Sequence, residues 1–153
     1  MISLIRIDDR LIHGQVMAVW ARVLSIDHIL VADDAVAADA FSQQIMRLAM
    51  PPNMRLSVAG IAAAAGMLKI AEVDASRTLV LLKSVQAAVH LYELHAFRNL
   101  NVGGIGMTPG RQSLWRSIAA SPAEVELLGN LRRSGVDVYL QMIPSDEKRR
   151  LPD

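Results

Sequence analysis

Residues 2–16 read ISLIRIDDRLIHGQV, which combines a strand signal with a dense group of ionisable side chains. The apolar run Ile2–Ile7 is followed by a polar set made of Asp8, Asp9, Arg10, His13 and Gly14. Five of the eight residues at positions 6–13 are ionisable, although charged residues make up only 20% of the chain. We interpret this charged segment, lying between a strand end and a helix start, as an active-site loop.

Outward from this loop, short apolar runs alternate with Ala- and Leu-rich amphipathic segments. The pattern predicts strands at residues 2–7, 28–32, 55–58, 78–82, 100–103 and 136–142. It predicts helices at residues 15–24, 37–50, 61–71, 85–97 and 122–134. Residues 104–120 are the least regular, with a short apolar stretch at 114–118 that could form a further strand. Apolar strands separated by helices imply right-handed crossovers and a parallel sheet, so we predict an α/β fold.

Length and composition limit the class of protein. A chain of 153 residues with 52% hydrophobic residues fits one domain, residues 1–153. The net charge of +1 gives no electrostatic basis for binding nucleic acid, and the basic cluster at residues 148–150 is predicted to be a solvated tail. The chain contains no cysteine, which excludes a disulfide scaffold, a thiol nucleophile and a cysteine-based zinc site within it.

Membrane insertion and secretion are not predicted either. Charged residues from Arg6 onward interrupt any apolar signal-peptide segment, and no apolar run approaches the roughly 20 residues that span a bilayer. We therefore expect a soluble, cytoplasmic protein.

The first strand end has the composition of a phosphate site. Ligands of open parallel sheets bind at the carboxyl ends of strands, and the N-terminus of the following helix attracts anions. Gly14 allows close approach of the backbone to a phosphate, and Arg10 offers a fork of donors that suits phosphate oxygens. A neutral His13 could then accept a phosphoryl group, with Asp8 or Asp9 either opposing this or orienting the ring. A solvated turn with His13 packed beside it explains the residues equally well.

The run RIDDRLIHGQV closely resembles the phosphorylation loop of enzyme IIB subunits of the mannose/sorbose-type bacterial phosphotransferase system (PTS). The resemblance covers most of the chain. It includes the acidic pair Asp33-Asp34, the helix end Ala49-Met50-Pro51, the glycine loop Asn101-Val102-Gly103-Gly104 and the strand exit Gln141-Met142-Ile143-Pro144. Residues 106–111 depart from the family's pattern and leave the roles of Thr108 and Arg111 open.

The resemblance implies a specific activity. Such subunits accept a phosphoryl group from a phosphorylated IIA protein or domain and pass it to a sugar that enters through the membrane subunits IIC and IID. Carried over, His13 is the phosphorylated nucleophile and Arg10 the phosphate-stabilising cation of a protein-Nπ-phosphohistidine–sugar phosphotransferase. The implied fold is a doubly wound, mainly parallel sheet with helices on both faces. No metal and no cofactor are expected, and the protein would associate peripherally with the membrane permease.

Further residues are expected to bind the phosphoryl group or to support the loop: Asp8, Asp9, Gly14, Gln15, Asp33, Gly103 and Gly104. Asp33 could instead cap the helix that follows the second strand. Two other classes of protein would use different residues. A receiver-like regulatory phosphoprotein would use an aspartate and Mg²⁺, but no single acid stands out at the third strand. A dinucleotide-binding module would need a glycine fingerprint after the first strand, which is missing. The sequence leaves open whether the chain forms a homo-oligomer.

Overall fold

The structure is a computed structural model that describes residues 1–152, apart from the side chains of Gln15 and Val16. Strands and helices alternate along this described part. In chain order they are β1 (Ile2–Ile7), α1 (Gly14–Val23), β2 (His28–Ala32), α2 (Asp34–Ala37), α3 (Ala40–Ala49), β3 (Arg55–Ala59), α4 (Ile61–Ala71), β4 (Thr78–Leu82), α5 (Val85–Leu94), β5 (Asn99–Val102), β6 (Gln112–Trp115), β7 (Ile118–Ala120), α6 (Pro122–Arg133), β8 (Asp137–Leu140) and β9 (Arg149–Arg150).

Seven strands form one sheet in the order β3-β2-β4-β1-β5-β8-β9. The pairings from β3 to β8 are all parallel, and only β9 runs antiparallel to its neighbour β8. Strand β1 therefore lies in the interior of the sheet, between β4 and β5. The predicted α/β class with a mainly parallel sheet is confirmed.

Helices cover both faces of this sheet. One apolar cluster joins α4, α5 and α6 to one face, with Leu68, Leu91 and Leu128 fully buried. A second cluster joins α1, α2 and α3 to the other face around Met17 and its neighbours. Each fully buried leucine contributes about 1.5–3 kcal/mol relative to an exposed one, so these two layers supply most of the driving force for folding.

The change of face occurs at β1. The chain leaves β1 into α1 on one face, whereas it leaves the neighbouring β4 into α5 on the opposite face. Such a switch point opens a crevice at the carboxyl ends of the strands, where open α/β sheets bind their ligands. The loop that follows β1 lies at this switch point.

The helix predicted over residues 37–50 begins too early, because α3 starts at Ala40 and Ala37 belongs to α2. Two helices occupy this part of the chain, and Asp39 separates them. The Asp39 carboxylate accepts hydrogen bonds from the backbone N–H groups of Phe41 (3.1 Å) and Ser42 (3.3 Å), so it caps the N-terminus of α3. A capping aspartate inside an apolar pattern marks a new helix start rather than a surface position of one long helix.

The irregular segment and the C-terminal end also differ from expectation. Residues 112–120 form an antiparallel hairpin of β6 and β7 rather than one strand at 114–118. The basic cluster is not entirely a solvated tail, because Arg149 and Arg150 pair with β8 through their backbone while their side chains stay exposed. Within the described residues, no helix has the length and apolar character needed to cross a membrane.

Candidate active site

The loop at residues 8–13 is bound to both neighbouring strands. The backbone N–H of Asp8 donates to the Leu82 carbonyl at the end of β4 (2.9 Å), and that of Asp9 donates to the Gly104 carbonyl after β5 (2.9 Å). These bonds continue the parallel pairing of β1 beyond its last residue. The loop is therefore fixed at the switch point of the sheet.

A buried ion pair lies beneath the loop. Arg6 and Asp8 are both completely buried, and Arg6 Nη2 lies 3.2 Å from Asp8 Oδ2. The Arg6 guanidinium also donates to Asn101 Oδ1 and to the carbonyls of Gln141 (2.9 Å) and Met142 (3.1 Å). Burial lowers the pKa of Arg6 from its ordinary value, and the Asp8 carboxylate counteracts that decrease. The pair connects the ends of β1, β5 and β8.

Two further residues confine the Arg6 side chain. The Trp20 ring of α1 lies over the guanidinium, 5.1 Å from Cζ to the ring centroid, and Trp20 Nε1 donates to the Met142 carbonyl (3.1 Å). Gly103 also borders the guanidinium and leaves the space that it fills, since a Cβ there would overlap it. Gly103 is therefore required for close packing rather than for an unusual backbone angle.

His13 lies at the N-cap of α1, with its ring directed back over the loop. His13 Nδ1 is 3.1 Å from the Leu11 carbonyl, and Nε2 is buried 3.9 Å from Asp8 Oδ2. Leu11 has a φ of 55°, a left-handed conformation that is uncommon for a leucine. Because a carbonyl only accepts, the contact with Leu11 requires a proton on Nδ1, and in a neutral ring the lone pair is then on Nε2.

Arg10 shares the same carboxylate from the solvent side. Its backbone N–H and its Nε both donate to Asp8 Oδ1, at 3.1 Å and 3.4 Å. About half of its side chain is exposed (49%), so its guanidinium is accessible to an anion. Gly104 lies beside it, since a Cβ on Gly104 would be 3.3 Å from Arg10 Nη2. Asp8 thus contacts two arginines and faces the histidine.

The start of α1 completes the loop. Gly14 is its exposed first residue and has a φ of +34°, a conformation that favours glycine. The His13 side chain makes no capping bond to this helix, so the first turn of α1 faces the loop without a side-chain cap from it. The side chain of Gln15, predicted to support the phosphate, lies outside the described residues.

The two other acidic residues predicted for the site, Asp9 and Asp33, lie in different places. Asp9 Oδ2 accepts a hydrogen bond from the Gly106 backbone N–H (2.7 Å), so Asp9 joins the loop to the segment that follows β5. Asp33 Oδ1 instead accepts the Val36 N–H (2.9 Å) and caps α2 at the end of β2, a strand separated from β1 by β4. Among the described contacts, Asp33 therefore supports a helix and not the loop. The structure brings together Asp8, Asp9, Arg10, His13, Gly103 and Gly104.

Sequence reasoning assigned no role to Arg6, Asn101 or Gln141, which hold the loop from below. One signal was available: an arginine inside an otherwise apolar interior strand must be paired. Within the described residues, no group of three or more His, Asp or Glu side chains is placed to hold a metal ion.

Known proteins resemble this chain over nearly its whole length. A family model described as "PTS system sorbose subfamily IIB component" matches residues 2–153. The sorbose-specific EIIB component of Klebsiella pneumoniae is 28% identical over 153 residues, which cover 99% of this chain and 93% of that protein. The mannose-specific EIIAB component of Escherichia coli K12 is 26% identical, covering 99% of this chain and 47% of that longer protein.

Solved structures agree with these matches. The crystal structure of manxB from Thermoanaerobacter tengcongensis superposes with a TM-score of 0.91 at 36% identity, covering 99% of this chain and 92% of that one. These similarities give no support to a receiver-like regulatory module.

Proposed function

The chain belongs to the family of PTS sorbose subfamily IIB components, and from this membership we propose that His13 is the residue that carries the phosphoryl group. The members of this family are phosphotransferases, and so is this protein. The observation that best supports the role of His13 is the buried Arg6–Asp8 pair, which holds the loop with His13 and Arg10 at the switch point of the sheet.

The first transfer exchanges one N–P bond for another. The lone pair of an unprotonated His13 ring nitrogen attacks the phosphorus of a donor phosphohistidine, and the donor's N–P bond breaks with its electron pair returning to the donor imidazole. In the second transfer a sugar hydroxyl oxygen attacks the phosphorus, the His13 N–P bond breaks, and the hydroxyl proton passes to water. Catalysis in such transfers comes mainly from positioning and from stabilising charge.

The resting position of the ring requires a movement before attack. His13 Nε2 is buried toward Asp8, so a donor cannot reach it there, and Nδ1 is occupied by the Leu11 carbonyl. We infer that the ring turns about its side-chain bonds, so that the Leu11 contact breaks and the unprotonated nitrogen reaches the donor. Asp8 remains close to the ring and offsets one of the two arginine charges.

The accepted phosphoryl group would meet three favourable features. Arg10 offers an accessible guanidinium, the first turn of α1 attracts anions, and Gly104 lets the backbone lie close to the arginine. Arg6, Arg10 and Asp8 together carry a formal charge of +1, which complements the negative phosphoryl group. Gly14 and Asp9 keep the loop in this conformation.

We extend the proposal to partners and location. The phosphoryl donor would be a phosphorylated IIA protein or domain, and the acceptor a sugar presented by the membrane subunits IIC and IID. The protein would then act in the cytoplasm, peripherally associated with that permease. We treat residues 1–153 as one functional domain.

The test is a mass measurement on two histidine variants. Wild-type protein is incubated with phosphoenolpyruvate, the general relay proteins and a cognate IIA protein, and its intact mass is recorded at neutral to alkaline pH. We expect one acid-labile phosphoryl group on wild-type protein and none on His13→Ala. His90→Ala, which changes an exposed histidine on α5, is the matched control and should be phosphorylated like wild type. Phosphorylation of a folded His13→Ala protein would refute the proposal.

A further inference from the structure

The guanidinium of Arg111 binds both the start of α6 and the backbone of Gly106. Its Nε and Nη2 donate to Glu124 Oε1 (3.0 Å) and Oε2 (3.2 Å), and its Nη1 donates to the Gly106 carbonyl (2.9 Å). Glu124 is 3% exposed and also accepts the Ser121 backbone N–H (2.9 Å) as part of the capping box of α6. The fork of Arg111 is thus anchored on a rigid helix start.

The anchor keeps its charge at neutral pH. Burial alone would raise the pKa of Glu124, but hydrogen bonds from Arg111 and Ser121 outweigh burial and keep the pKa below its ordinary value. A bidentate arginine–carboxylate pair of this kind fixes direction as well as distance. Arg111 therefore presents its third donor to Gly106 in one orientation.

Both polar backbone groups of Gly106 are hydrogen-bonded. Its carbonyl accepts from Arg111, and its N–H donates to Asp9 Oδ2 (2.7 Å). Asp9 in turn donates its own N–H to Gly104, the residue that lies against Arg10. A continuous series of hydrogen bonds therefore runs from Glu124 through Arg111, Gly106 and Asp9 to the His13 loop.

We propose that Arg111 is a positioning residue for phosphoryl transfer, which fixes the His13 loop through Gly106 and Asp9. This inference rests on the proposed role of His13. A pair that only joined the hairpin to α6 would not need the third bond to Gly106, whose amide directly binds the loop. Displacing a reacting group by about 1 Å can cost on the order of a hundredfold in rate, so this distant anchor acts on the chemistry.

The experiment compares variants at both ends of the anchor with a matched control. Arg111→Ala and Glu124→Gln each break the ion pair, while Arg133→Ala breaks an exposed pair with Glu126 on the same helix α6. The measured quantities are the single-turnover rate of phosphorylation at saturating phospho-IIA protein and the donor concentration that gives half of that rate. All variants are measured at one temperature at which circular dichroism shows each of them to be fully folded, so that lost stability is not read as lost rate.

We expect Arg111→Ala and Glu124→Gln to lower the single-turnover rate about tenfold or more, with the half-saturating concentration within about twofold of wild type. The double variant should be no slower than the slower single variant, because both changes release the same anchor. Arg133→Ala should match wild type in both quantities. The amide resonances of Gly106 and Asp9 should shift in the two anchor variants and remain in place in Arg133→Ala.

Arg111→Lys distinguishes positioning from direct contact with the donor. A lysine keeps the charge but cannot reproduce the two-pronged bond to Glu124 together with the bond to Gly106, so we expect no recovery of rate. A normal rate in Arg111→Lys, combined with a raised half-saturating concentration in Arg111→Ala, would overturn the inference in favour of donor binding. Wild-type rates in Arg111→Ala and Glu124→Gln would also overturn it. An unphosphorylated wild-type protein would instead refute the role of His13 itself.

Discussion

At the scale of single residues, Asp8 organises the site with one carboxylate. Oδ2 contacts Arg6 in the interior and faces His13 Nε2, while Oδ1 accepts from the backbone and side chain of Arg10 at the surface. An isolated buried carboxylate would cost several kcal/mol, and Arg6 offsets that cost by pairing with it. The same carboxylate thereby stabilises the fold and orients the reactive loop.

Substituting Arg6 should mainly lower stability, whereas substituting Arg10 should mainly lower activity. We expect Arg6→Ala to lower the free energy of unfolding by about 3–5 kcal/mol, because it leaves Asp8 buried without its interior partner. Arg10→Ala should cost less than about 1 kcal/mol, since its pair is half exposed, but it should slow phosphorylation of His13. Urea unfolding and single-turnover phosphorylation measure the two effects. Equal losses of stability in the two variants would contradict this assignment.

Sequence reasoning recovered the loop but not its supports. His13, Arg10 and Asp8 lie within six positions, so their proximity follows from chain connectivity. The partners of Arg6 at positions 101, 141 and 142 come from strands far along the chain, and only the sheet order brings them together. The expectation that Asp33 supports the loop relied on shared strand ends, but β4 lies between β2 and β1.

At the scale of elements, two glycines have opposite structural roles. Gly103 follows β5 and lies against the Arg6 guanidinium, while Gly66 lies on the exposed side of α4 with nothing within 4 Å of an added Cβ. We expect Gly103→Ala to destabilise the protein by about 1–3 kcal/mol through overpacking. Gly66→Ala should instead stabilise it by about 0.5–1 kcal/mol, because alanine favours the helix.

Urea titration of both glycine variants measures these changes. The opposite signs matter more than the magnitudes, since each substitution adds the same methyl group. A stabilising Gly103→Ala would mean that the Arg6 side chain can shift, contrary to its four hydrogen-bonding partners.

Element boundaries followed from local signals where the signal was unambiguous. The strands at Ile2–Ile7, His28–Ala32 and Thr78–Leu82 and the helix Ile61–Ala71 agree with prediction residue for residue. The break at Asp39 was missed because apolar residues continue on both sides of it, and side-chain capping rather than hydrophobicity decides the boundary. Strand β9 was missed because its pairing with β8 uses the backbone and leaves both arginine side chains exposed.

At the scale of the whole molecule, the order of strands interleaves distant parts of the chain. Strand β1 pairs with both β4 and β5, so the first strand joins the two halves of the sheet. The parallel arrangement was predictable because strands and helices alternate along the chain. The strand order was not predictable, because a helix that connects two parallel strands can join adjacent strands or skip one. That order is a property of the complete packing.

This interleaving predicts one cooperative unfolding transition. Circular dichroism reports the helices, while fluorescence reports Trp20 in α1 and Trp115 in the hairpin. We expect the two signals to give the same midpoint and slope in urea, as two-state domains do. Separate midpoints would contradict the proposal that residues 1–153 act as one domain.

The contact between Arg6 and Gly103 also restricts the order in which this sequence can change over evolutionary time. A side chain at position 103 fits without overlap only after the side chain at position 6 has shortened. A shorter side chain at position 6 would leave the buried Asp8 carboxylate without its partner. Replacing Asp8 first would remove the partner of Arg10 and release the histidine loop. We therefore expect each single step to lower stability or to release the loop. We therefore expect the residues at positions 6, 8 and 103 to be kept or substituted together.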